Sequence, residues 1–393
     1  MHRLIALLTL ALWVFATSAQ EESVDINIGK KLVLHSEVLN EDRPYWVYLP
    51  ASYNDGALQS YPVLYLLDGD AYFHSASGIV QFMSSGTNFN LQIPELIIVA
   101  IPSLNRERDL APTHRQVVES SGGGDNFLKF MGDELFRKVD SVYRTMPYRI
   151  LVGHSFGGLL ALHALLDLPE KFQAYIAIDP SLWWDEQTLV HRAERELTEA
   201  RGIRGTVYLA HANYADTGDI DLLKHTDAIR TFGRTLKSVA SPIFRSTVQF
   251  FEEEDHGSVP LVALYHGLLF IFEGYKPPSI DLFIKQPSAV SAHFELISDR
   301  LGLELLPPLR LVNQFGDMAL NQDGDKAIEF FKLNIRNFPH GWRAYDGLGR
   351  AYMARDARAL AVENFQKSLE LNPGNRDVAK RLQEARFPLD QTQ

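Results

Sequence analysis

Five short, almost wholly apolar segments leave this chain few ways to fold. They lie at residues 62–67, 95–101, 149–152, 174–178 and 206–210. Runs of this length and composition are typical of strands buried on both faces of a parallel sheet. Several of them are separated by helix-like stretches, at 125–143, 156–167 and 222–239. Two β-rich segments precede them, at 31–39 and 43–49, and a third follows them at 245–252. The alternation predicts an α/β fold, with a mostly parallel sheet flanked by helices.

A Gly-x-Ser-x-Gly motif joins one of these strands to a helix. Gly153-His154-Ser155-Phe156-Gly157 follows the apolar run 149–152 and opens an amphipathic helix. A serine at such a junction lies in a sharp, strained turn that presents its hydroxyl at a helix amino terminus, where backbone N–H groups favour a developing anion. The flanking glycines remove side chains that would clash in the turn. We therefore predict that Ser155 is a nucleophile.

A serine hydroxyl reacts only when a base takes its proton. In a fold of this kind the base comes last along the chain, and His256 lies in a loop after the final predicted strand. His211, at the end of the strand at 206–210, is the second candidate. A carboxylate should orient the imidazole. The candidates, in order of preference, are Asp216, Asp219 and Asp179, and a serine–histidine pair without an acid stays open.

Backbone donors for an oxyanion are predicted at two places. One is the N–H of Phe156, directly after the nucleophile. The other is the Gly69–Asp70 backbone, in the segment that follows the strand at 62–67. Each donor would contribute roughly 3 kcal/mol of transition-state stabilisation.

Candidate substrate-binding residues follow other strands. Trp183 and Trp184 come after the strand at 174–178, at the edge of the sheet where α/β sites open, and could form an aromatic wall. The competing expectation is that at least one of the two tryptophans belongs to the core. Arg106 and Arg108 could meet an anionic substrate, although pairing with Glu107 or Asp109 competes with that role.

The motifs together resemble a known family. Four segments are similar to the esterase D and enterochelin-esterase branch of the α/β-hydrolases. They are Leu66-Leu67-Asp68-Gly69-Asp70, residues 106–113, Gly153-His154-Ser155-Phe156-Gly157-Gly158 and residues 179–184. The resemblance covers about residues 25–275. It implies a serine esterase without a metal or organic cofactor. The branch includes siderophore, S-formylglutathione, feruloyl and acetyl-xylan esterases, and Trp183-Trp184 in an exported chain looks closest to the siderophore-esterase-like subgroup.

The amino terminus has the pattern of a secretory signal peptide. Arg3 precedes an apolar run at 4–15, and small residues at 17–19 offer a cleavage site. The run is shorter than the roughly 20 residues that a spanning helix needs. We predict a signal peptide at residues 1–19, export to the periplasm or beyond, and no membrane span after cleavage.

The carboxyl-terminal region has a different, helical pattern. We predict a catalytic domain at residues 20–280, a connecting segment at 281–308 and a tetratricopeptide-repeat region at 309–393. The repeat rests on Tyr345, Leu348, Gly349, Tyr352, Ala361, Phe365 and Pro373, with Leu311, Ala327, Phe331 and Pro339 at the matching places 34 residues earlier. Two repeats and a capping helix at 377–385 should dock against the larger domain.

Charge and cysteine content exclude several function classes. With 38 Lys and Arg against 49 Asp and Glu, the net charge is −11, which disfavours nonspecific nucleic-acid binding. The chain contains no cysteine, so it has no disulfide framework, thiolate metal site or cysteine nucleophile.

The leading prediction is an exported esterase for a small-molecule ester, either siderophore-esterase-like or a general short-chain carboxylesterase. The alternatives are a feruloyl or acetyl esterase acting on plant polysaccharide, and a noncatalytic protein that binds a partner through its repeats.

Overall fold

The computed structural model describes residues 25–86, 90–199, 203–214, 220–239, 241 and 243–387. The predicted signal peptide at 1–19 lies outside these residues. Among the helices of the described part, none combines the length and apolar character needed to cross a bilayer.

The centre of the protein is an eight-stranded sheet in the order β1-β2-β4-β3-β5-β6-β7-β8. The strands are β1 Lys30–Ser36, β2 Glu41–Tyr48, β3 Tyr61–Leu67, β4 Ile97–Ile101, β5 Thr145–His154, β6 Ala174–Ile178, β7 Gly205–His211 and β8 Phe244–Phe250. β2 runs antiparallel to both β1 and β4, and the pairs from β4 to β8 are parallel. The predicted α/β-hydrolase fold class is confirmed.

Helices cover both faces of this sheet. They are α1 Gly69–Ser84, α2 Arg106–Leu110, α3 Gly124–Phe130, α4 Phe136–Val142, α5 Phe156–Asp167, α6 Trp184–Glu199, α7 Ile220–Ser238 and α8 Val259–Ile271, with a 3-10 turn at Ala51–Asn54 and a π-helical turn at Met131–Leu135. The predicted helix at 125–143 is therefore α3 and α4 joined through the π turn. α1 begins directly after the loop that follows β3, so the start of this helix lies at the carboxyl edge of the sheet.

Side chains of β3 show how the two faces are filled. Leu64 and Leu66 pack with α1, α8 and the carboxyl-terminal helices, whereas Val63, Tyr65 and Leu67 pack with helices α3 to α7. All seven residues of this strand are buried. A strand buried on both faces carries no polar alternation, which is why the sequence shows a continuous apolar run.

The carboxyl-terminal region is helical. Its helices are α9 Ile280–Lys285, α10 Ser288–Leu301, α11 Leu309–Leu320, α12 Gly324–Asn337, α13 Trp342–Ala354, α14 Arg358–Leu371 and α15 Arg376–Arg386. Glycines let paired helices approach closely: a Cβ at Gly316 would lie 2.6 Å from the Phe331 ring, and one at Gly349 would lie 2.5 Å from the Phe365 ring. One continuous apolar cluster joins α11 and α12 to the α1 and α8 face of the sheet.

A buried histidine links α5 to α3. His163 Nε2 lies 2.6 Å from Asp125 Oδ1, and its Nδ1 lies 2.9 Å from Asp167 Oδ2. Burial lowers the pKa of His163, but the hydrogen bonds and charges of Asp167 and Asp125 outweigh burial and raise the pKa above its ordinary value.

This histidine should make stability depend on pH. Because the folded-state pKa is raised, protonated His163 stabilises the fold below its unfolded pKa of about 6.5, and the contribution is lost as pH rises through the folded-state pKa. We expect the free energy of unfolding to fall by on the order of 1 kcal/mol from this source as pH rises, since both carboxylates are partly exposed. Chemical denaturation at several pH values should show the decrease in the wild type and a smaller one in His163→Gln. Equal decreases in both proteins would contradict this assignment.

Candidate active site

Ser155 occupies the junction between β5 and α5 with a strained backbone. Its φ is 59° and its ψ is −116°, a conformation that residues with a side chain rarely adopt. The Ser155 N–H donates to the Ile178 carbonyl at 2.9 Å, and its carbonyl accepts from the Ser181 N–H at 3.0 Å. These two bonds to the neighbouring β6 edge hold the turn in place.

Glycines on both sides of Ser155 make the turn sterically feasible. A Cβ at Gly153 would lie 2.2 Å from the backbone of Gly157, so no side chain fits there. A Cβ at Gly157 would meet Asp68 Oδ2 and Leu67 Cβ at 3.4 Å, which is ordinary contact. The two glycines therefore differ in how strictly the structure requires them.

A matched pair of substitutions tests this difference. We expect Gly153→Ala to shift the turn, to destabilise the protein by several kcal/mol and to remove most activity, because the added methyl meets backbone rather than a flexible side chain. Gly157→Ala should retain the fold and much of the activity. Thermal unfolding and ester turnover measure both effects. Comparable losses in the two variants would show that the steric argument fails.

The predicted oxyanion donors lie at the starts of two helices. Gly69 and Asp70 are the first residues of α1, and Phe156 is the first residue of α5, so their N–H groups precede the intrahelical hydrogen bonds. A Cβ at Gly69 would lie 2.7 Å from the Ile101 backbone nitrogen, which shows how closely this turn approaches β4. The structure thus brings the segment after β3 against the turn that carries Ser155.

An ion pair ties these two segments together. Arg106 donates to both carboxylate oxygens of Asp68, at 3.0 and 3.1 Å, and to the His154 carbonyl at 2.9 Å. Asp68, in a left-handed conformation with φ 51°, also accepts from Ser103 Oγ at 2.8 Å. Arg106 thus connects the loop before α1 to the residue before the nucleophile, and its partner is Asp68 rather than the predicted neighbours Glu107 and Asp109.

The imidazole of His256 is paired with Asp179. His256 Nδ1 lies 2.6 Å from Asp179 Oδ2, and 43% of the His256 side chain is exposed whereas Asp179 is fully buried. His256 follows β8, as the sequence predicted, and Asp179 follows β6. Asp216 and Asp219, the two carboxylates preferred from the sequence, lie outside the described residues, so the carboxylate at His256 in this structure is the third candidate.

Asp179 receives several further contacts. The Ala212 N–H donates to its Oδ1 at 3.1 Å, Tyr214 donates its hydroxyl hydrogen bond to Oδ2, and His225 Nε2 lies 3.4 Å from Oδ2. Burial raises the pKa of Asp179, but the neighbouring His225 imidazole and the hydrogen bonds from His256 and Tyr214 outweigh burial and hold the pKa well below the ordinary range. The carboxylate is therefore ionised and can orient the His256 ring.

His256 also contacts the residue beside the nucleophile. The rings of His154 and His256 are 4.3 Å apart, which places the predicted base next to the turn. His154 Nδ1 hydrogen-bonds the Tyr72 hydroxyl at 2.9 Å. Burial and the neighbouring His256 lower the pKa of His154 to about 3, so this ring is neutral.

In this unliganded site the Ser155 hydroxyl contacts Ser181. Ser155 Oγ lies 3.1 Å from Ser181 Oγ, and among the described residues no hydrogen bond joins Ser155 Oγ to His256. Catalytic hydrogen bonds are often absent from unliganded sites and form when substrate binds.

His211, the second candidate base, is buried with its Nδ1 3.2 Å from the Ala212 carbonyl, and burial lowers its pKa. It has no comparable carboxylate partner at hydrogen-bond distance among the described residues.

The predicted substrate-binding residues separate into different environments. Trp183 is 40% exposed, whereas Trp184 is buried and donates its Nε1 hydrogen bond to Thr113 Oγ1 at 3.0 Å. Arg108 pairs with Asp109 at 2.6 Å and with Glu41 at 2.6 Å. Trp184 and Arg108 are thus held by the protein's own groups, although 35% of the Arg108 side chain is exposed. Trp183 is the exposed aromatic residue of the set.

Sequence reasoning missed three residues at this site. Ser181 lies in the segment 179–184, where only Asp179 and the two tryptophans were predicted as site residues, yet the Ser181 hydroxyl contacts that of Ser155. Tyr214 and His225 surround Asp179. The short spacing of Asp179 and Ser181 directly after an apolar strand was the available signal, because polar residues at that edge of a parallel sheet converge on the site.

Comparisons with known proteins place the chain among esterases. The family model Esterase, described as "Putative esterase", matches residues 36–221. An IroE-like serine hydrolase from Shewanella oneidensis superposes with a TM-score of 0.70 at 30% identity, covering 78% of this chain and 99% of that one.

Two fungal enzymes are similar in sequence. A siderophore triacetylfusarinine C esterase from Aspergillus fumigatus is 27% identical over 54% of this chain and 82% of its own length. A siderophore enterobactin esterase from Emericella nidulans is 25% identical over 59% of this chain and 90% of its own length. With the α/β-hydrolase sheet and the serine turn at the carboxyl edge, these similarities show that the chain belongs to the esterase family and is a carboxylic-ester hydrolase.

Proposed function

We propose that this protein is an exported serine esterase with the catalytic set Ser155, His256 and Asp179. The observation that carries the proposal is the 2.6 Å contact between His256 Nδ1 and the buried, ionised Asp179, next to a serine in a strained strand–helix turn. An imidazole so oriented presents Nε2, the nitrogen that can take a serine proton.

The reaction follows from these positions. Ser155 Oγ attacks the ester carbonyl carbon while His256 Nε2 takes the hydroxyl proton and returns it to the leaving alcohol. The N–H groups of Phe156 and of Gly69 or Asp70 would stabilise the oxyanion. Water, deprotonated by His256, then attacks the acyl-enzyme and releases the acid. Asp179 stays ionised and stabilises the imidazolium that forms in each half of the reaction.

We further propose that the substrate is a siderophore-type ester. Support comes from the named activities of the two fungal relatives and from an aromatic surface beside the nucleophile. Trp183 and Phe156 pack edge to face with ring centres 6.2 Å apart, and Trp183 is partly exposed. An exposed aromatic face can stack on an aryl acyl group such as a catechol amide. A general short-chain carboxylesterase is the broader alternative.

Export and the role of the carboxyl-terminal helices are also proposals. The leader-like residues 1–19 support cleavage and export. The spacing of the two helical hairpins supports tetratricopeptide-type repeats, which the chain could use to bind a protein partner. Mass spectrometry of the protein from an exporting host would test cleavage, since an intact amino terminus would contradict it.

A substrate panel tests the activity and its class together. Purified protein should hydrolyse p-nitrophenyl acetate or butyrate, and it should hydrolyse a cyclic catecholate tri-ester with a higher kcat/KM. Feruloyl and acetylated-xylan esters serve as the contrasting class. Trp183→Ala should lower kcat/KM for the catecholate ester more than for the acetate ester. Preference for feruloyl or acetyl-xylan esters would reject the siderophore proposal, and hydrolysis of none of the panel would reject the esterase mechanism.

A further inference from the structure

Three potential metal ligands converge at the proposed acid–base pair. The ligand atoms of Asp179, His225 and His256 all lie within 4.8 Å of one another. His225 Nε2 and His256 Nδ1 lie 3.4 and 2.6 Å from the same oxygen, Asp179 Oδ2. Four-coordinate zinc with bonds of 2.0–2.1 Å separates its ligand atoms by about 3.4 Å, so small shifts would bring these three atoms to that spacing.

His225 is the unexplained member of this cluster. It extends from α7 into the protein and its side chain is 5% exposed. Among the described residues its Nδ1 has no hydrogen-bond partner, and its Nε2 has only the 3.4 Å contact with Asp179 Oδ2. A buried polar side chain without a partner costs roughly 1–3 kcal/mol, so such a group calls for an explanation. The proposed hydrolysis does not use it.

We propose that Asp179, His225 and His256 bind Zn²⁺ and that the bound metal inhibits the esterase. Two imidazole nitrogens and a carboxylate oxygen form a common donor set for zinc, with solvent completing the coordination. The exposed edge of His256 offers the path by which the ion enters. The inhibitory consequence rests on the proposed function of His256 as the base.

Inhibition follows from which atoms the metal would occupy. With zinc on Nδ1, His256 no longer donates a hydrogen bond to Asp179, and a nearby dication opposes the positive imidazolium that catalysis requires. The Asp179 charge would be shared with the metal. The ion is thus an inhibitory ligand rather than a cofactor, and hydrolysis should be fastest when it is absent.

A second cluster in the described chain lacks the same features. Asp125, His163 and Asp167 also lie close together. Both ring nitrogens of His163 already contact carboxylates, at 2.6 and 2.9 Å, and the carboxylates are exposed. With its polar groups satisfied, this cluster has no unpartnered ligand, which makes His163→Asn a matched control for His225→Asn.

The test measures zinc binding separately from turnover. Metal-stripped full-length protein is titrated with ZnCl₂ by calorimetry, with MgCl₂ as the hard-cation comparison. We expect one Zn²⁺ per chain in the wild type, in Ser155→Ala and in His163→Asn, and binding weakened roughly tenfold or more in His225→Asn. In the wild type, saturating zinc should lower kcat for p-nitrophenyl acetate roughly tenfold or more, and EDTA should restore it.

The outcomes separate this inference from the proposed function. Ser155→Ala binds zinc whether or not the protein is an esterase, so zinc binding without wild-type turnover would reject only the hydrolysis mechanism. Absence of binding, or binding unchanged in His225→Asn, would overturn the metal site. Binding without loss of turnover would overturn its inhibitory role. If His225→Asn does not fold by circular dichroism, the partly exposed His256→Asn replaces it with the same expected loss.

Discussion

Replacing Asp179 with asparagine is expected to lower kcat about 10⁴-fold, because an amide would stabilise the wrong tautomer of His256 and could not balance the imidazolium charge. The shape of the side chain is conserved, and Ala212 N–H can still donate to the remaining oxygen. KM should change little, since Asp179 is fully buried and does not meet substrate. Steady-state kinetics with a p-nitrophenyl ester would measure both parameters.

Asp216→Asn is the informative companion variant, because the sequence favoured Asp216 as the acid. We expect its kcat to stay within a few-fold of the wild type. The opposite pattern, a large loss in Asp216→Asn and near-normal turnover in Asp179→Asn, would transfer the acid role to the segment after β7. Circular dichroism spectra of both variants establish that the comparison is between folded proteins.

Ser155→Ala should abolish turnover, with kcat falling roughly 10⁶-fold, because no other group replaces the attacking oxygen. An organophosphate that labels the wild type should leave the variant unmodified, as detected by intact-protein mass spectrometry. Residual activity within a hundredfold of the wild type would assign hydrolysis to another residue.

The strained backbone of Ser155 adds a stability readout to the same position. At φ 59° and ψ −116°, a side chain costs on the order of 1–3 kcal/mol that glycine does not incur. Ser155→Gly should therefore be inactive and yet more stable to denaturant than Ser155→Ala. If the alanine variant is the more stable of the two, the turn is not strained as described.

The fold was predictable where burial alone sets the pattern. Strands such as β3, buried on both faces, show as apolar runs, and the Gly-x-Ser-x-Gly junction depends on local backbone sterics that a sequence displays directly. α1, Gly69–Ser84, is not among the helices that the sequence predicts. The buried face of this helix combines Phe73, Val80 and Met83 with small or polar residues such as Ala76 and Ser77. Its apolar pattern is therefore weak, although packing on β4 and α8 fixes the helix.

The candidate site was predictable in part for a different reason. Ser155 is recognised by its neighbours in sequence, and His256 by its position after the last strand. The carboxylate at His256 was harder to predict, because the 2.6 Å contact joins His256 to Asp179, 77 positions earlier, and chain order does not encode it. Similarly, the pairing of Arg106 with Asp68 joins residues 38 positions apart, so no local spacing indicates it.

The position of Asp179 has a consequence for how this enzyme could diversify. In the proposed mechanism the acid is Asp179, at the end of β6, so the residues between Tyr214 and α7 need not carry a reacting group. Insertions, deletions or randomised residues at 215–219 should then leave the hydrolytic step at its usual rate. That segment is the natural place to begin a directed-evolution library.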